Sequence, residues 1–144
     1  MTLMEVLSDP TRKAAVIADG ARLIEDEVGT KSGLSGLALK AAYRTVLSVR
    51  PGIIHAALGH LLPEFAPAID PMYAKALASG DTTAWFKANA TAVAEALLAV
   101  TDARARRAEN RVLQTAYQGV RGQAQAHVVA AVPGLARLLD RHVR

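Results

Sequence analysis

The sequence predicts an all-α protein, a compact bundle of about six helices around one largely buried helix at about residues 32–49. Apolar residues recur three and four apart along most of the chain, the spacing that lines one face of a helix. Helix punctuation is explicit, with Ser8-Asp9-Pro10, Asp70-Pro71 and Asp81 as starts and Gly29 and Ser79-Gly80 as stops. No stretch combines strict alternation with the β-branched enrichment of a strand.

Taken in order, Ser8-Asp9-Pro10 opens a first long helix whose Ile17, Ala21, Ile24 and Val28 form one stripe, with Asp19, Arg22 and Asp26 on the solvent side. The stretch KSGLSGLALKAAYRTVLSVRPG at 31–52 follows, started by Ser32 or Ser35 and ended by Arg50-Pro51-Gly52. On a helical projection Lys40, Arg44 and Ser48 share a narrow stripe, and Leu34, Leu39, Tyr43 and Val46 spread over much of the rest. Such a helix reads as surrounded. Its Gly36 and its alanines admit a neighbouring backbone, offsetting the roughly 1 kcal/mol cost of an interior glycine.

A shorter helix, Ile53 to Leu62, comes next, and Pro63, Pro67 and Pro71 are predicted to divide the chain into single turns. Asp70-Pro71 should open a new short helix that ends at Ser79-Gly80. Asp81 should cap the longest helix, from Thr82 to about Ala108, with Phe86, Ala90, Val93, Leu97 and Val100 inward. The pattern breaks near Glu109-Asn110, resumes from Arg111 to Ala131, and starts a terminal helix at Pro133-Gly134.

A chain of 144 residues can form a single helical domain, 1–144, with a core that needs neither disulfides nor a structural metal. The absence of cysteine excludes disulfides, thiolate ligands and a cysteine nucleophile. Acidic Glu5 and Asp9 stand where a secretion signal needs basic residues, and no uncharged run reaches the roughly 20 residues of a membrane-spanning helix. A cytoplasmic protein is the expectation. Residues 1–72 hold seven Lys/Arg against eight Asp/Glu, giving −1, and residues 73–144 hold ten against five, giving +5. The basic excess of the second half is mostly arginine, which suits bidentate contact with anions.

Candidate sites are few. Gly29-Thr30-Lys31-Ser32-Gly33 lacks the glycine spacing and the preceding strand of a phosphate loop, but Lys31, Ser32 and Gly33 at a helix start form a candidate anion site. Arg104, Arg107 and Arg111 would share a face if their helix ran unbroken past Glu109, with Arg106 beside them, making a candidate patch for nucleic acid or an acidic lipid. Tyr43, Trp85 and Phe86 are candidate lining for an apolar pocket. The histidines show no metal-ligand spacing, and His127 reads as a hydrogen-bonded core residue. No catalytic residue and no cofactor motif stands out.

The segments KSGLSGLALKAAY at 31–43, PGII at 51–54, LLPEF at 61–65, ALLAVTD at 96–102 and AAVPGLARLLDRH at 130–142 resemble a small family of uncharacterised, all-helical bacterial proteins with no assigned activity. The resemblance implies a helical domain and carries no chemistry. The leading functional expectation is a non-catalytic interaction or scaffolding protein that self-associates, as a homodimer. The alternatives are an anionic-partner protein using the arginine cluster and a small apolar-ligand protein with a cavity in its core.

Overall fold

Side chains cap several of the helix starts. Asp9 accepts from the Thr11 amide at 2.9 Å, Asp81 from that of Ala84 at 3.0 Å, and Asn110 from that of Leu113 at 3.1 Å. The computed structural model describes residues 1–144, with seven helices and no strand: α1 (Leu3–Leu7), α2 (Pro10–Thr30), α3 (Gly33–Leu47), α4 (Ile53–Ser79), α5 (Thr82–Ala88), α6 (Ala90–Arg107) and α7 (Arg111–His142). None is long and apolar enough to cross a membrane.

Three helix boundaries differ from the sequence expectation. Pro63, Pro67 and Pro71 lie inside one continuous helix of 27 residues, α4. Spaced four apart, they share one side of it, away from the buried Ala66, Ile69, Tyr73 and Ala76. Pro67 and Pro71 are exposed, so the carbonyls that lose a partner turn toward water and packing on the other face outweighs a local cost of about 3 kcal/mol per proline. Asp70 therefore starts no helix of its own. Its carboxylate caps α1, an element the sequence did not announce, by accepting from the amides of Leu3 (2.7 Å) and Met4 (3.2 Å). Gly80, at φ +88°, ends α4 in the left-handed conformation that only glycine adopts cheaply.

The expected helix 82–108 is two, divided at Asn89, whose side-chain amide donates to the Trp85 carbonyl at 2.8 Å and competes with the helical pattern. By contrast, the Pro133-Gly134 break is absent, and α7 runs for 32 residues. Gly134 acts in packing: a Cβ there would stand 2.5 Å from Leu23 Cδ1, so its bareness makes room for the end of the Leu23 side chain of α2.

The helix expected at the centre is at the surface. Within α3 only Gly36 is buried, and Leu34 is 87% exposed. An apolar circumference records a lack of charge, and says nothing of what surrounds it. The core lies instead where the chain ends meet: Leu3, Val6 and Leu7 of α1, Val16 of α2, Ile69 and Tyr73 of α4, Phe86 of α5, Val93 of α6, and Val132, Leu138 and Leu139 of α7. Each large apolar side chain buried here contributes roughly 1.5–3 kcal/mol. Phe86 stacks edge-on to Trp85 at a centroid distance of 5.5 Å and lies 6.2 Å from Tyr73. Asp140 bridges three helices at this end, accepting from Tyr73 Oη (2.6 Å) and Thr82 Oγ1 (2.7 Å).

Candidate functional site: an apolar cavity beneath α3

At the other end of the bundle the helices line an apolar pocket that is open to the surface. Leu39, Ala42, Tyr43 and Val46, spaced three and four apart, put the inner face of α3 over it. Ile24 and Val28 close it from α2, Ala57 and Leu61 from α4, Ala105 from α6, and Leu113, Ala116 and Val120 from α7. The cavity measures about 350 Å³. It exists because alanines stand where larger side chains would meet, at 42, 57, 105 and 116.

Its polar groups are few and mostly engaged. Gln114 donates to the carbonyls of Ala105 (3.3 Å) and Ala108 (2.6 Å), fixing the turn between α6 and α7. Tyr117 donates to Asp102, lies 2.8 Å from Thr101 Oγ1, and so pins the two helices together. Arg121 holds the same carboxylate in a fork, Nε to Oδ1 at 2.8 Å and Nη2 to Oδ2 at 2.9 Å. Those bonds from Arg121 and Tyr117 keep the Asp102 carboxyl below its ordinary pKa, against the opposing effect of burial. Burial, with Asp102 beside it, raises the Tyr117 phenol. Tyr43 differs: it lines the cavity and makes no hydrogen bond within the protein, and burial, helped by Glu25, raises its pKa so that the phenol stays neutral. A polar groove of about 280 Å³, containing Asp102, Arg106, Gln118 and Arg121, lies on the far side of Gln114 and Tyr117.

The structure separates the residues singled out in the sequence. Tyr43 lines the cavity, whereas Trp85 packs against the core at the opposite end and Phe86 is fully buried within it. The four arginines do not share a face, because α6 ends at Arg107 and Arg111 begins α7. Arg104 and Arg107 both pair with Glu64 of α4, at 3.5 and 3.3 Å, and Arg104 also borders the cavity. Arg106 lines the groove. At the start of α3, Lys31 is paired with Glu27 at 3.3 Å, Ser32 makes no side-chain cap, and Gly33 is exposed. His127 is half-buried, and its Nε2 is enclosed without the hydrogen bond expected of it. No three His, Asp or Glu side chains converge so as to hold a metal ion.

Sequence reasoning missed the Thr101–Asp102–Tyr117–Arg121 network. Tyr117 and Arg121 stand four apart on a helix, the only signal available, and their shared partner lies on another helix.

A family model described as a family of unknown function (DUF6918) matches residues 3–143, so the chain belongs to that family. No curated protein and no solved structure matches it.

Proposed function

We propose that this member of the family is a binding protein that takes a small, largely apolar molecule into the cavity beneath α3. The cavity is the observation that carries the reading. Its volume falls in the range of small-molecule sites, roughly 300–1,000 Å³, and its walls are almost wholly hydrocarbon. Water inside would need two to four polar partners, and these walls supply few. The uncommitted Tyr43 hydroxyl fits a ligand with one hydrogen-bonding group on an apolar body.

This reading is favoured over the other two by what each requires. A scaffold needs no apolar pocket, and this one is lined by five helices of a single chain. The arginine patch is divided between two helices, and Arg104 and Arg107 already answer Glu64.

N-Phenylnaphthylamine, a neutral apolar fluorophore, supplies the test. The wild-type protein should bind it saturably at one site, with a blue-shifted rise in fluorescence. Ala116→Trp and, independently, Ala57→Leu should weaken that binding at least about tenfold by filling the space. Unsaturable binding, or equal binding by wild type and both filled variants, would overturn the proposal.

A further inference from the structure

Three of the seven large apolar side chains that the protein leaves exposed belong to α3: Leu34 at 87%, Leu37 at 60% and Leu47 at 45%. At about 100° per residue, Leu34, Leu37, Ala38 and Ala41 point away from the Leu39, Ala42, Tyr43 and Val46 face that covers the cavity. Arg44 shares the outward sector, and Lys40 and Leu47 stand at its edge.

Charge says what covers this face. Between Glu27 and Glu64 the chain has four basic residues, Lys31, Lys40, Arg44 and Arg50, and no acidic one. Lys31 answers Glu27, and the other three have no carboxylate partner. The helix on which α3 leans most, α7, carries Arg111, Arg121 and Arg137 and no acid before Asp140. On α2, Glu25 acts on Tyr43, which belongs to the inner face.

The geometry points to α3 as a helix that docks on the surface of an anionic lipid bilayer. Leucines on the exposed side enter the boundary between headgroups and acyl chains, while Lys40 and Arg44 meet lipid phosphates, the division of labour of interfacial basic helices. A second copy of the chain is a worse fit, because a two-fold contact would set the same cations against each other. Nucleic acid would satisfy the cations and leave the leucines facing phosphate. The inference goes beyond the cavity reading and does not depend on it, since the two use opposite faces of one helix.

The test is cosedimentation of the full chain with vesicles of phosphatidylcholine containing phosphatidylglycerol, and with phosphatidylcholine alone. Binding is expected only with the anionic lipid and should weaken as salt is added. Lys40→Gln and Arg44→Gln should each weaken it about fivefold, and Leu37→Glu at least about tenfold. Leu37→Glu should still bind N-phenylnaphthylamine as wild type does, which shows it folded. Ala116→Trp should do the reverse, keeping vesicle binding while losing the probe. Equal partition onto both vesicle types, no partition at all, or loss of vesicle binding in Ala116→Trp would overturn the proposal. So would a wild-type dimer in light scattering that Leu37→Glu disperses.

Discussion

The two ends of this bundle are built from the same kinds of residue and packed to opposite effect. Where α1, α5 and the last turns of α7 meet, Phe86, Ile69, Leu139, Val6, Val16, Val93 and Val132 are all but fully enclosed. Under α3, residues of similar chemistry stand back from one another around about 350 Å³ of space. Composition does not explain the contrast. What differs is the placement of large against small: Phe86 fills the gap between Tyr73 and Trp85, whereas Ala42 of α3, Ala57 of α4 and Ala116 of α7 all border the hollow. One end spends its apolar surface on stability, and the other withholds it.

Truncation should expose the contrast most strongly. Phe86→Ala is expected to lower unfolding free energy by about 3–5 kcal/mol, and Leu39→Ala, which only enlarges an existing space, by about 1 kcal/mol. Urea denaturation of the two variants measures both, and equal losses would mean that the α3 end is as tightly packed as the core. Enlargement should reverse the sign. Ala136→Leu, at a fully enclosed position of α7, should cost about 1–3 kcal/mol, while Ala116→Leu on the same helix should gain about 0.5–2 kcal/mol. Thermal midpoints moving in opposite directions would confirm the division, and a loss in both would refute it.

The smallest expected effect concerns acid. At the solid end Asp19 meets His142 Nε2 at 2.7 Å and Arg141 Nε at 3.0 Å. The His142 hydrogen bond, with Arg141 and against burial, holds its carboxyl below the ordinary value of 3.8. Asp102 is lowered in the same way by Arg121 and Tyr117 at the hollow end. A carboxyl whose folded pKa is depressed stabilises fully above its unfolded pKa and stops doing so as pH falls through the folded one. Stability should therefore decline below about pH 4. Asp19→Asn and Asp102→Asn should each flatten that decline by under about 1 kcal/mol, read from urea midpoints across acid pH. A steeper decline in either variant would reverse the sign assigned to its carboxylate.

Much of the helical layout was legible because caps and stops act locally. Asp9-Pro10 and Asp81 start helices where their side chains say they should, and Gly80 ends one. The errors fell where a local rule met a distant contact. Three prolines predicted breaks in α4, but the helix runs through them, held by the buried face that carries Ala66, Ile69, Tyr73 and Ala76. The Pro133-Gly134 pair predicted a break in α7, and its glycine serves the approach of Leu23, far away in sequence. Of the candidate site, Tyr43 was singled out, and the four-helix wall around it was not. Nothing in a one-dimensional pattern brings Ile24, Ala57 and Leu113 to one space.

The sequence by itself determined an all-helical chain, most helix starts, and a stretch from Lys31 to Gly52 that is largely apolar and whose charges are all basic, since these follow from short-range spacing and capping. Only the tertiary structure decided that this stretch lies at the surface, with one face over a cavity and the other toward solvent. Periodicity states which residues share a side, and the energy that chooses what that side meets comes from contacts between helices distant along the chain.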